Sequence, residues 1–349
     1  MGNNQRELTL SKRILTFAAS LLLLPCLTLS AAHLPLIRIS VENTLSHVQT
    51  QAVEHFAQRL SERLKDQYEI QFYPAATLYK DSEVFRALSQ GKLEIAVPGT
   101  WQFDRYVSEV GVFQLPSLYG RTAETTYALL ESEVGTHILE AIEHTMNIKV
   151  LGRFIDLGAV HLFSTKKPIK TAKDIIDQRI RVAGGEGNIL RLEALGAKPV
   201  TIAWPDLPLA LTNGNLDAAL TSYETLASAK LWNFGIRYVY EDSQYFAQYI
   251  PIASSSFWQR LPSHVQQTIL DCWEEGVDKA RREAFLAQER AKIKAILYFV
   301  NIIQPDKTEV EITRNFLQTF EKDHAEQMGI PVELYEAFTA FLHDYKEEP

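Results

Sequence analysis

Asp174-Ile-Ile-Asp-Gln-Arg-Ile-Arg-Val-Ala-Gly-Gly185 is the stretch on which the fold turns. The run Arg179 to Val182 predicts a short strand, and Gly184-Gly185 predicts a turn where that strand ends. A side chain at such a strand end can face a cleft between two lobes. Arg181 stands there, and a guanidinium presents a rigid fork of donors that matches a carboxylate through two parallel hydrogen bonds. The competing reading is a solvated surface arginine, the ordinary setting for this residue type.

On either side of this stretch, short β-type runs alternate with helical patterns, as in a sheet flanked by helices. Before it, Leu36 to Val41, Tyr68 to Tyr73 and Leu93 to Val97 read as strands, with helices at Ser46 to Lys65 and Asp81 to Gln90 between them. From His161 onward the same architecture recurs. His161 to Ser164, Arg179 to Val182, Lys198 to Thr201 and Leu216 to Leu220 read as strands, with helices at Asn188 to Leu195 and Asp206 to Thr212. The expected fold class is therefore α/β, with two similar lobes facing each other. Pro262 to about Tyr298 differs, with Val265, Ile269, Trp273 and Val277 at four-residue intervals. A continuous helix there would be roughly 50 Å long at about 1.5 Å per residue, longer than one small lobe is wide. It either bridges both lobes or protrudes as a coiled coil, and the lack of sustained heptads favours bridging.

The first 32 residues read as an address. Arg6, Lys12 and Arg13 precede an apolar run from Ile14 to Leu29 that ends in Ser30-Ala31-Ala32, the pattern of a secretory signal peptide cleaved after Ala32. The alternative is a retained membrane anchor. Pro25 before Cys26 argues against a lipid-attachment site. Beyond residue 32 the one cysteine is Cys272, so no internal disulfide can form. Residues 1–32 contribute +2 to the formal charge of −8, leaving about −10 for the remainder. An acidic exported chain is a poor partner for nucleic acid or anionic membranes.

Catalytic patterns are missing. None of the nine histidines lies in a His-Glu-x-x-His arrangement, no cysteine pair could hold zinc, and there is no Gly-x-Ser-x-Gly elbow. Gly184-Gly185-Glu186-Gly187 lacks the lysine of a phosphate loop. Ser254-Ser255-Ser256 reads as a polar strand end. No catalytic residue, metal or cofactor is expected.

An ordered series of segments then resembles one family, the solute-binding proteins of tripartite ATP-independent periplasmic (TRAP) transporters of the dicarboxylate-binding, DctP-like type. The series runs from Phe72-Tyr-Pro-Ala-Ala-Thr-Leu78 through Gly91-Lys-Leu-Glu-Ile-Ala96 and Val112-Phe-Gln-Leu-Pro116 to Lys167-Pro-Ile-Lys170. It continues with Ile180-Arg181-Val182, Ala194-Leu-Gly-Ala197, Ala210-Leu-Thr-Asn-Gly214 and Phe257-Trp-Gln-Arg-Leu-Pro262. The resemblance implies a bilobal periplasmic-binding-protein fold with hinge strands and a long helix crossing both lobes. It also implies capture of a small organic acid between the closing lobes, and delivery to TRAP membrane permease subunits. The implied protein is periplasmic and monomeric. The implied division is a signal peptide over 1–32, a first lobe of 33–158 plus 247–286, and a second lobe of 159–246 plus 287–349. A periplasmic enzyme or a sensor component on a similar fold are the other readings.

The same resemblance places the family's carboxylate-gripping arginine at Arg181. His161 occupies a slot that holds a second arginine in some members, and either touches the ligand or serves as a structural hydrogen-bonding residue. Thr221 replaces a common asparagine, and Trp204 represents the ring that packs over the ligand, unless it is a core tryptophan. From the first lobe, Glu42 and Asn43 after one strand and Gly99, Thr100 and Trp101 after another are the candidate contacts.

Overall fold

The computed structural model describes residues 34–346. Eleven strands form two sheets. The first sheet contains β1 (Leu36–Ser40), β2 (Glu69–Tyr73), β3 (Ile95–Ala96), β4 (Ile148–Val150) and β10 (Ile252–Ser254), in the order β2-β1-β3-β10-β4. The second contains β5 (Ile155–Ser164), β6 (Arg179–Val182), β7 (Lys198–Thr201), β8 (Ala218–Thr221), β9 (Tyr238–Tyr249) and β11 (Asn301–Ile303), in the order β11-β9-β5-β8-β6-β7. In the first sheet β1 runs parallel to β2 and β3, and in the second β6 runs parallel to β7 and β8. Each lobe thus has a parallel core, and the crevice beyond the C-terminal ends of such strands is the usual place for a ligand.

Among the described residues twelve α-helices pack around these sheets. They are α1 (Val48–Leu64), α2 (Val84–Ser89), α3 (Ala123–Glu131), α4 (Glu133–Met146), α5 (Glu186–Ala194) and α6 (Leu207–Thr212) in the first two thirds, followed by α7 (Tyr223–Ser228), α8 (Ser255–Trp258), α9 (Ser263–Leu297), α10 (Lys307–Gln318), α11 (Glu321–Gln327) and α12 (Val332–Asp344). Helix α1 shows why the pattern works: Val53, Phe56, Ala57, Leu60 and Leu64 recur every three or four residues and all are buried. Helix α9 spans 35 residues, close to its expected limits. Its first half meets the first lobe, where Trp273 lies edge-on to Phe56 with ring centroids 5.3 Å apart. Its second half meets the other lobe, where Gln288 accepts from the Glu224 N–H at 3.0 Å and Lys292 pairs with Glu241 at 2.5 Å. The helix bridges.

The chain also passes between the sheets at 151–154, from β4 to β5, and at 250–251, from β9 to β10. β5 and β9 are the hinge strands. Their ladder is irregular, with Val160 opposite Tyr245 but Leu162 opposite Tyr240, so residues 241–244 bulge out beside His161. Ser243 in that bulge has φ 47°, a left-handed conformation rare for a residue with a Cβ.

The C-terminal packing differs from the expected division. The resemblance implies residues 287–349 in the second lobe, yet Ala325, Met328, Leu334 and Phe338 share a core with Val84, Phe113 and Ile138 of the first. Apolar periodicity shows that a helix has a buried face but not which lobe covers it. The expected signal peptide over 1–32 lies outside the described residues. Among those described, no helix is long and apolar enough to cross a membrane.

Candidate functional site

A small cavity of about 40 Å³ lies where the lobes meet. The first lobe contributes Glu42 and Asn43 after β1, Asp81 before α2, and the pair Trp101 and Gln102. From the second come Arg181 at the end of β6, Trp204 before α6, Thr221 at the end of β8, and Tyr245 on β9, with Tyr249 close to the crossing. Six of the expected residues, Arg181, Trp204, Thr221, Glu42, Asn43 and Trp101, therefore line one space. At about 10–15 Å³ per water the cavity holds roughly three, so these lobes are closed upon each other.

Arg181 sits at the centre of this arrangement. It is 2% exposed, its Nε donates to the Ile202 carbonyl at 3.0 Å, and its Nη2 has no hydrogen-bond partner. Burial lowers its pKa to about 10, opposed by Asp81 and Tyr245, so the guanidinium stays protonated at neutral pH. Its Cζ lies 6.0 Å from the centre of the Trp204 ring. Two further orphan groups line the same space: the Trp101 indole N–H and both ends of the Gln102 amide lack partners. Buried donors left unpaired are costly, and here they cluster around one cavity.

The first-lobe wall is held in place by local contacts. The Asn43 amide donates to the Gln49 amide oxygen at 2.8 Å and to the Tyr249 hydroxyl at 2.9 Å, while Gln49 donates to the Val97 carbonyl at 2.7 Å. The Trp101 ring stands edge-on to Tyr249, with centroids 5.4 Å apart. Gly99 and Thr100 do not line the cavity. A Cβ on Gly99 would come within 2.3 Å of the Trp101 ring, so glycine is what lets the indole fold back over its own backbone. Burial, with Asp81 adding like charge, pushes the Glu42 carboxyl up to about 8.

The lobes touch around the cavity as well as across it. The Asp104 carboxylate accepts from the Glu186 N–H, at the first residue of α5, at 2.6 Å, a helix N-terminus meeting an anion from the opposite lobe. Gln114 accepts from the Asn188 N–H at 3.2 Å, and Asp81 accepts from the Trp204 N–H at 3.4 Å.

His161 is not brought to Arg181. It lines a separate, larger cavity behind the hinge together with Tyr223, Glu241 and Lys292. Its Nδ1 accepts from the Ser243 N–H at 3.0 Å, so the imidazole satisfies a backbone donor that the bulge takes out of the ladder. Sequence reasoning missed Asp81, Gln102, Tyr245 and Tyr249. The two tyrosines carried a usable signal, since Tyr238 to Tyr249 is rich in aromatic strand formers and places residues 245 and 249 on one face.

Residues 39–328 match the family described as bacterial extracellular solute-binding protein, family 7, or DctP. The C4-dicarboxylate-binding periplasmic protein DctP of Shewanella loihica is 22% identical over 226 residues, 64% of this chain and 65% of that protein. The protein of the same name from Vibrio cholerae is 23% identical over 287 residues, 81% of this chain and 85% of that one. A TRAP periplasmic solute binding protein from Sulfurospirillum deleyianum, solved with bound succinate, aligns at a TM-score of 0.81 and 23% identity, over 88% of this chain and 99% of that one. At this identity the structural likeness is one of fold; the family match over residues 39–328 is what places the chain among the bacterial extracellular solute-binding proteins of family 7, to which it belongs.

Proposed function

We propose that this protein is the periplasmic binding component of a TRAP transporter, that it captures a small organic acid between its lobes without transforming it, and that it hands the acid to membrane permease subunits. The observation carrying this reading is the Arg181 guanidinium, buried and protonated, with Nη2 unpaired in an interlobe cavity. A carboxylate completes the fork with charge-assisted hydrogen bonds, worth about 1.5–3 kcal/mol each. Trp204, Thr221, Glu42, Asn43 and Trp101 form the rest of the contact surface, while Gly99 and Thr100 support Trp101 from behind. The monomer acts alone, and its first lobe comprises 33–158 plus 247–286 together with the C-terminal helices packed on it. The second comprises 159–246 and the chain from 287 to about 320. A segment equivalent to 1–32 directs export and is removed.

The reading gains support from the ligands named for its relatives. Succinate is bound in the Sulfurospirillum protein, and galactonate in a sugar acid binding protein from Advenella mimigardefordensis, so a carboxylate is common to both. Isothermal calorimetry against a panel of organic acids tests it. Arg181→Ala is expected to weaken carboxylate binding at least about tenfold, and Arg181→Lys by less, with the thermal unfolding midpoint of the free protein little changed. Equal affinity in wild type and Arg181→Ala would sink the assignment.

A further inference from the structure

The charged groups around the cavity do not suit every organic acid. Three ionisable side chains line it, Arg181 against Glu42 and Asp81. One guanidinium fork matches one carboxylate, and a second carboxylate on the ligand would meet two acids with no further cation in the wall. Carboxylates crowded into one site oppose each other's ionisation, so a dicarboxylate is a poor guest here. The remaining walls point the same way. Trp101, Trp204, Tyr245 and Tyr249 also line the space, and aromatic rings attract cations at their faces.

We infer that the ligand is a compact zwitterion, its carboxylate held by Arg181 and its cationic group facing Glu42 and Asp81 between the aromatic walls. The inference rests on the carboxylate reading of Arg181 given above, and it adds the second half of the molecule. Glu42 supplies an independent argument. The groups acting on its carboxyl are Asp81, which adds like charge, and its own backbone N–H and the Gln49 amide, which donate; no basic side chain is among them. Beyond these, Tyr249 lies near Glu42 and Glu224, and His47, edge-on to Tyr249 with ring centroids 6.3 Å apart, has its pKa lowered by burial and is neutral near pH 7. Among the described residues no basic side chain, Arg181 across the cavity included, acts on the Glu42 carboxyl strongly enough to return it to its carboxylate form. A ligand ammonium does.

The test uses pairs of ligands that differ in charge but not in shape, with the purified full-length mature chain. Glycine betaine is paired with 3,3-dimethylbutyrate, and proline with cyclopentanecarboxylate; succinate is the dicarboxylate arm, and further amino acids and betaines extend the zwitterion set. Thermal shift and calorimetry are expected to find the tightest binder among the zwitterions, at least about tenfold tighter than its carbon isostere. The double variant Glu42→Gln, Asp81→Asn is expected to lose that discrimination while still requiring Arg181. Binding of the zwitterion is also expected to strengthen between about pH 6 and about pH 8 and to release protons, because the cation favours ionised Glu42. If succinate or a carbon isostere binds tightest, or if no zwitterion in the set binds, the inference is overturned. In the first case, loss of that binding in Arg181→Ala leaves the carboxylate reading standing, so the two failures are distinguishable.

Discussion

A histidine and an arginine, both read in the sequence as candidate ligand contacts, take different positions for reasons visible atom by atom. Arg181 keeps an unpaired donor in the interlobe cavity, whereas His161 spends its Nδ1 on the Ser243 N–H and packs its ring edge-on to Tyr223, 5.5 Å away. Burial pushes the His161 pKa down to about 4, with Glu241 raising it and Lys292 lowering it. The sign of the consequence follows from linkage. Because the folded pKa lies below the unfolded value near 6.5, the unfolded chain binds a proton first, and the stability contributed by neutral His161 is lost as pH falls from about 6.5 to 4. The whole loss is on the order of 3 kcal/mol. In His161→Gln the amide oxygen can still accept from Ser243, so ligand affinity near pH 7 should match wild type within about twofold, while the acid branch of the stability curve becomes shallower. Denaturant unfolding from pH 4 to 8, with calorimetry at pH 7, measures both. A clear loss of affinity in His161→Gln would return this residue to the site.

Among the elements, the turn between β6 and α5 packs directly against the opposite lobe. Gly185 has φ 91°, and a Cβ there would lie 2.1 Å from the Gln114 side-chain oxygen of the opposite lobe. Gln114 cannot swing away cheaply, because it is fully buried, accepts from the Asn188 N–H and donates to Asp104 at 3.3 Å. Gly185→Ala should therefore weaken ligand binding about tenfold or more by opposing closure, with only about 1 kcal/mol lost from the second lobe itself through backbone strain. Unfolding of the free protein and ligand titration separate the two effects; an unchanged affinity would show that the turn does not meet Gln114 in the ligand-bound form. Elements of this kind were partly legible in the sequence. Helix α9 was legible because 35 residues of regular apolar spacing leave few alternatives, and β6 because its strand leads into paired glycines. β9 was not, although Tyr245 and Tyr249 share one of its faces, and with it went both residues. Asp81 was read as the start of a helix, whereas it begins a short 3-10 turn, is 3% exposed and reaches the cavity. Which side of an element faces a partner lobe is a tertiary property, and local periodicity does not encode it.

Over the whole molecule these contacts describe one closed state and imply another. Arg181 and Trp204 are each less than a tenth exposed, so no ligand reaches the fork unless the lobes separate. The connections allow it. The chain crosses between sheets at 151–154 and 250–251, β5 carries Gly158 at φ 119°, β9 carries the bulge with Ser243, and α9 rests on both lobes without being cut between them. A few such residues are what hinge closure needs. The interlobe contacts range from buried to exposed, and the Val48 N–H to Glu224 and Arg191 to Gln114 carbonyl hydrogen bonds are among the buried ones. Lys80 pairs with Asp206 at 3.2 Å at the rim, where both are about half exposed and worth little, while the part-buried Glu186 N–H to Asp104 and the buried Trp204 N–H to Asp81 hydrogen bonds are ones a ligand must help to make. A ligand can favour the closed state by no more than its preference for that state over the open one, and a preference of about 100-fold would convert an even mixture almost wholly to the closed form. Small-angle X-ray scattering should therefore show the free protein with a larger radius of gyration than the ligand-saturated protein. Arg181→Ala at the same ligand concentration should stay extended, because it removes the bridge that distinguishes the two states. If wild-type scattering is identical with and without saturating ligand, closure does not depend on the ligand, and the coupling of Arg181 to lobe movement fails.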